Sequence, residues 1–247
     1  MRIFEYLSGC LAPRNSLCEA LELLPFDRNI ISFVGGQGKT AAVYQLCSEL
    51  SRAGVPCAAV AAEDMEIPRD YPCCTSADPE EVRKAVQQRP FCVFGGSGGE
   101  GRLCAPSEPV WKELLASVPN LMIVSDAVKP FPVKLPDKPS VPPQTTLMIA
   151  VCGLDAVGNR LDEICPDPEQ AAASLGRDAD HGVTPSDLAK LFRMGEGYSA
   201  YLPARADFAV LLDGADSAYG IQLAEQTARR LSRRDVQKIV VASTLPG

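Results

Sequence analysis

The sequence predicts an α/β protein built on a mostly parallel sheet flanked by helices, and three observations predict it. Short apolar runs alternate with segments of helical periodicity. A glycine-rich stretch, GGQGKT, stands at one strand-to-helix junction. A proline-dense segment interrupts the pattern once, without internal repeats. Hydrophobic residues are 46% and charged residues 22% of the 247, enough apolar material for a sizeable core and ordinary globular usage, which excludes disorder and fibrous repeats. The organisation expected is one domain over 1–247, with a Pro-rich crossing at 130–143 and a small helical insert at 155–205.

Taken in order, residues 1–28 read as one or two helices, with Ser16 capping the run LCEALELL before Pro25. Residues 30–34 form an apolar strand that breaks into GGQGKT, and a helix follows to Ala53. Strands are expected at 55–62, 91–94 and 121–124, with helices at 78–88 and from Pro106 or Ser107 to Val118. Between Pro130 and Pro143 six of fourteen residues are proline, so neither a helix nor a central strand can run there. A strand at 146–152, a Gly/Asp-rich loop, and a helix opened by Thr184-Pro185 follow. A strand at 208–212, a helix at 217–234 and a strand at 238–242 complete the chain.

Lys and Arg total 24 against 31 acidic residues, for a net charge of −7 and a pI near 4.9. That balance argues against a broad nucleic-acid or anionic-membrane surface, since phosphate-rich partners need clustered positive charge. The longest apolar stretch, Leu147–Cys152, is far short of a membrane span, and the start MRIFEYLSGC has no signal-peptide pattern, so a cytoplasmic protein is expected. The ten cysteines contain no CxxC pair, and His181 is the one histidine, so a zinc site is not indicated. Most of the cysteines are expected to be buried apolar residues, with the adjacent Cys73 and Cys74 the pair to watch for reactivity.

Chemistry concentrates at Gly35-Gly36-Gln37-Gly38-Lys39-Thr40. Glycines let backbone N–H groups close around phosphate oxygens, and the following helix adds its positive N-terminal end. Lys39 would reach the terminal phosphates and the Thr40 hydroxyl would ligate Mg²⁺. The full GxxxxGK[ST] pattern would require glycine where Phe33 stands, so the match is to a shortened GxxGKT loop. Asp126, ending the apolar run LMIVS, fits the acidic residue that holds a metal-bound water. These features predict a P-loop NTPase-like fold that binds ATP or GTP. Downstream, Lys129, Lys134 and Lys138 lie on the proline-stiffened segment beside that sheet edge, where lysines could meet a polyphosphate or a phosphorylated pterin, or simply face solvent. The literal GxGxxG at 96–101 has no helix in register and reads as a flexible loop. Arg229, Arg230, Arg233 and Arg234 read as a solvated helix end, and His181 as a surface residue.

The sequence resembles the YqeC family, accessory proteins of selenium-dependent molybdenum hydroxylases, from about Ile31 onward. Four stretches carry the resemblance: FVGGQGKT at 33–40, SDAVKPFPVKLP at 125–136, VCGLDAVGNRLDE at 151–163, and VTPSDLAKLF at 183–192 with LPAR at 202–205. In the second, Asp126, Lys129, Pro132, Lys134 and Pro136 fall on the family's positions. The sequence departs from the family pattern at Val124 and Ala127, where the family has an acidic residue and a glycine, and at Cys165-Pro166, where it has His-Arg. A base-reading Asn-Lys-x-Asp pattern is reduced to Asp213-Gly214-Ala215-Asp216, with Asp216 alone retained.

The resemblance implies a nucleotide-binding maturation factor, with Gly35, Gly36, Gln37, Gly38, Lys39, Thr40, Lys129 and Lys134 binding the cofactor. Lys39 and Asp126 would be catalytic, and Thr40 with Asp126 would hold Mg²⁺. The partners implied are a nucleotide and a molybdenum hydroxylase or its cofactor, with neither nucleic acid nor membrane. Open alternatives are a non-hydrolysing scaffold or cofactor carrier, and a P-loop kinase or ligase acting on a small molecule.

Overall fold

The computed structural model describes residues 2–127, 130–192, 197–231 and 236–243. The elements, in chain order, are β1 (Ile3–Leu7), β2 (Cys10–Arg14), α1 (Leu17–Ala20), β3 (Asn29–Gly35), α2 (Lys39–Arg52), β4 (Cys57–Ala61), β5 (Met65–Glu66) and β6 (Cys73–Cys74). Then come α3 (Pro79–Gln88), β7 (Phe91–Phe94), β8 (Gly96–Gly99), β9 (Arg102–Cys104), α4 (Glu108–Ser117), β10 (Asn120–Val124) and β11 (Leu147–Gly153). The chain ends through α5 (Leu161–Ile164), α6 (Pro168–Leu175), α7 (Pro185–Leu191), β12 (Asp207–Asp213), α8 (Ala218–Arg230) and β13 (Lys238–Ala242).

Among the described residues, ten strands form one sheet in the order β2-β1-β13-β12-β11-β3-β10-β4-β7-β6. Every pairing from β13 to β6 is parallel, and only β1 pairs antiparallel, with β13 and with β2. The central strands are buried on both faces, which explains their unbroken apolar runs rather than alternation. One face of the sheet, through Phe33, Val124 and Val151, packs on α1 and α2. On the other face the β4–β7–β10 half packs on α3 and α4. The β11–β13 half packs on α5 to α8 and on Val133 and Leu135 of the Pro-rich segment. Two parallel strands cannot be joined by a tight turn, so each connection crosses a face and leaves its loops at the strand ends.

The first 28 residues correct the helical expectation. Ile3–Leu7 and Cys10–Arg14 form a hairpin, Leu7 pairing with Cys10 across a two-residue Ser8-Gly9 turn with φ of 51° and 97°. Both turn residues are left-handed, the geometry that matches strand twist, and Gly9 adopts it without steric cost. Glu5 is buried and pairs with Arg14, whose Nη2 lies 2.8 Å from its carboxylate. Ser16 does cap a helix by accepting from the Glu19 N–H at 3.0 Å, but α1 stops at Ala20.

The GxGxxG stretch is likewise no flexible loop. It forms β8 and the turn into β9, which together with β5 make a small antiparallel sheet. The segment 130–143 carries neither helix nor strand among its described residues. Thr184 caps α7 reciprocally with Asp187, as its spacing predicts. No described helix is long and apolar enough to cross a membrane.

Candidate functional site

The site lies where β3 and β10, neighbours in the sheet, both end. β3 runs out through Gly35, and Gly38 (φ +92°) turns the chain into α2, whose first residue is Lys39. A side chain at Gly38 would also meet Asp213 Oδ2, 2.8 Å from where its Cβ would stand. β10 delivers Asp126 two residues past its last strand residue, Val124. Parallel strands collect their loops at the carboxyl edge, so Lys39 and Asp126 converge although 87 positions separate them in sequence.

Both are buried, Lys39 at 1% exposure and Asp126 at 2%. The Lys39 ammonium folds back onto its own loop and donates to the carbonyls of Gly35 and Gly36, the latter at 3.0 Å. Asp126 accepts from the Lys134 ammonium on one carboxylate oxygen. On the other it accepts from the Tyr198 hydroxyl at 2.6 Å and from the Gly35 N–H at 3.3 Å. Burial, and then the neighbouring Asp126 carboxylate, push the Tyr198 phenol well above its ordinary range, so it stays a donor.

The Pro-rich segment closes over this loop as a strap. The Phe131 carbonyl accepts the Gln37 N–H at 2.8 Å, and the Val151 carbonyl accepts that of Gly36 at 2.8 Å. A Cβ on Gly36 would stand 2.1 Å from the Pro132 carbonyl oxygen, so only glycine allows this approach. Pro132 also accepts from the Gly153 N–H at 2.9 Å, and Val133 and Leu135 anchor the strap in the core on either side of Lys134. Three consecutive loop amides are therefore directed at acceptors of the protein itself.

Thr40 is half-buried and lines an open pocket of about 300 Å³ with Tyr44, Arg69 and Tyr71. The Gln37 side chain reaches Asp155 at 2.9 Å. Lys129 lies outside the described residues, as do Arg233 and Arg234; Arg229 pairs with Glu225, and Lys138 is exposed. His181 is half-buried and bonds Asp187 at 3.0 Å. Of the cysteines, five are buried and all ten are free. Cys73 and Cys74 are half-buried on the edge strand β6, and burial, with Cys74 beside it, raises the Cys73 thiol above its ordinary range, which disfavours the nucleophilic thiolate.

Tyr198, Asp155 and the strap carbonyls escaped the sequence reading, and Asp213 entered it only as part of a reduced base-reading pattern, with no place beside the loop. Asp213 ends an apolar strand as Asp126 nearly does, and that signal could have found it. Nothing marks Tyr198, because its role depends on a contact 72 residues away.

Lys39 also makes the site pH-sensitive. Desolvation lowers its ammonium from the ordinary 10.5 to about 8, with Lys134 acting in the same direction and Asp126 opposing. Below pH 8 the folded and unfolded chains both hold this proton, and the folded chain carries the full cost of the buried charge. Between pH 8 and 10.5 the unfolded chain binds more protons, so this group's contribution to stability rises with pH. The unfolding free energy of the wild type should therefore gain on that of Lys39→Met by roughly 3 kcal/mol from pH 7 to above pH 10.5. Paired urea titrations cancel the other tyrosines and cysteines, and a flat difference would mean that Lys39 titrates as an exposed lysine.

A parallel sheet whose inner strand runs through a glycine loop onto a lysine at a helix start, with a carboxylate from the next strand facing it, defines a loop-centred α/β protein. The model of the family described as YqeC protein matches residues 31–169, which include the loop, Asp126 and the strap, and the chain belongs to that family. No curated protein matches the chain.

Proposed function

We propose that this protein binds a Mg²⁺–nucleotide through residues 35–40 and serves as a maturation factor for a selenium-dependent molybdenum hydroxylase. The observation that carries the nucleotide reading is the loop itself. Gly38 turns a strand end into a 14-residue helix with no side-chain cap, and Lys39 opens that helix. An uncapped helix start with its dipole and an adjacent lysine favours a bound phosphate. Withdrawal of the strap would free the Gln37 amide from Phe131, while the Gly36 amide stays on Val151 of β11. Lys134, released from Asp126 and swinging inward, supplies the second cation. Lys129 and the exposed Lys138 are the remaining cationic candidates beside that segment.

Mg²⁺, held by the Thr40 hydroxyl, would neutralise phosphate charge. The two Asp126 oxygens are engaged by Lys134, Tyr198 and Gly35, so Asp126 fits a metal-water role only after that release. The hydroxylase role rests on membership of the YqeC family and on the four matching stretches. Calorimetric titration with Mg²⁺–ATP and Mg²⁺–GTP should show binding to one of them that weakens roughly ten- to a hundredfold in Lys39→Ala, the loss of charged hydrogen bonds. Equal affinity in the variant would remove the loop from the binding site.

The reading of a non-hydrolysing scaffold draws on one observation of its own: the amides of Gly35, Gly36 and Gln37 already have protein acceptors. On that reading the loop is a structural knot, and neither nucleotide binds.

A further inference from the structure

Among the described residues the large sheet ends in two open edges, β2 and β6. Pro13 interrupts β2 and has no N–H to offer a further strand, whereas β6 contains no proline. We propose that the β6 edge docks an extended acidic segment of a partner protein, which adds a strand beside Cys73 and Thr75. The main chain is the first argument. The carbonyls of Pro72 and Cys74 accept the N–H groups of Val93 at 2.8 Å and Gly95 at 3.3 Å, so both face β7. The N–H and C=O of one strand residue point to the same edge and alternate from residue to residue. Cys73 and Thr75 therefore turn theirs outward, and among the described residues neither main chain has a hydrogen-bond partner there.

The second argument is a groove of about 570 Å³ along this edge, between residues 73–76 and the stripe Glu81, Lys84, Ala85 and Gln88 of α3. Those four positions are spaced i, i+3, i+4 and i+7, so they share one helix face. Val82 of α3 belongs to the buried cluster that Cys74 and Ala85 pack against, which stands the helix over the edge strand. A strand laid beside β6 would find this wall at every second side chain. Charge selects the segment. Lys84 is exposed and makes no ion pair among the described residues, while Arg83 beside it is paired with Glu80 and Glu113. Arg89 lines the same groove, and Glu81 is the one acid among the lining residues, so the groove is net positive in a chain of net charge −7. Carboxylates on alternate residues of the added strand would meet Lys84 and Arg89.

The probe is a fluorescein-labelled peptide of alternating valine and glutamate, with a valine–lysine counterpart as control, read by anisotropy against the full chain. Saturable binding of the glutamate peptide alone is expected, together with slowed hydrogen exchange of the Cys73 and Thr75 amides. Thr75→Pro removes an outward donor without breaking a hydrogen bond inside the protein, and should weaken binding up to about tenfold. Lys84→Glu, on the exposed helix face, should weaken it about fivefold, the scale of an exposed ion pair. Thermal unfolding checks that both variants fold. Lys39→Ala should leave the titration unchanged, which separates this edge from the nucleotide site. The proposal is overturned if neither peptide binds, if both bind alike, or if both variants bind as the wild type does. A dimer in size-exclusion chromatography that Thr75→Pro abolishes would assign the edge to a second copy of the chain and overturn it as well.

Discussion

Replacing Asp126 with alanine is expected to destabilise the folded chain by about 3–5 kcal/mol, the range for removing one partner of a buried ion pair. The reason lies in what remains. Lys134 is 5% exposed and Lys39 1% exposed, and without the carboxylate both ammonium groups share a desolvated site. The Tyr198 hydroxyl and the Gly35 N–H lose their acceptor in the same step. Urea unfolding at neutral pH checks this. Adding Lys134→Met to Asp126→Ala should recover part of the loss, because it removes the charge left unpaired. If Asp126→Ala changed stability by less than about 1 kcal/mol, the pair would behave like an exposed one and the buried arrangement would be wrong.

Gly36→Ala is expected to cost about 3 kcal/mol, the upper part of the usual overpacking range. The added methyl meets backbone on the strap, the Pro132 carbonyl oxygen at 2.1 Å and the Phe131 carbonyl oxygen at 2.9 Å, and a backbone carbonyl cannot rotate aside as a side chain can. Relief requires the strap to lift, which breaks the bond from Gln37 to Phe131 and strains that from Gly153 to Pro132. Denaturant titration reads the loss. A change under about 0.5 kcal/mol, the scale of an ordinary surface substitution, would show that the strap shifts freely off the loop. The two variants probe different terms: one the charge balance under the strap, the other the fit of the strap on the loop.

Elements governed by local pattern were legible. The strands at 91–94 and 238–242 have the bounds the apolar runs indicate, because both are short and largely buried, the first also set between Pro90 and Gly95. The helix starts at Asp78 and Thr184 are local hydrogen-bond devices, and their spacing names them. The N-terminal hairpin departs from the helical expectation because apolar content such as IFEYL fits helix and strand alike over so few residues. The decisive signal was the Ser8-Gly9 pair, which supplies two left-handed residues in succession.

By itself the sequence determined the alternation that makes a parallel sheet, the glycine loop that joins β3 to α2, and the presence of Asp126 at the end of an adjacent apolar strand. These follow from periodicity, from the unique freedom of glycine, and from the rule that parallel strands gather their loops at one edge. Only the tertiary structure decided that Asp126 belongs to Lys134 and Tyr198, and that the loop amides of Gly35, Gly36 and Gln37 go to Asp126, to Val151 of β11 and to Phe131 of the strap. Those outcomes depend on which distant groups meet in a space that excludes water. There every donor must find an acceptor from whatever segment packs nearby, and no sequence spacing encodes that choice.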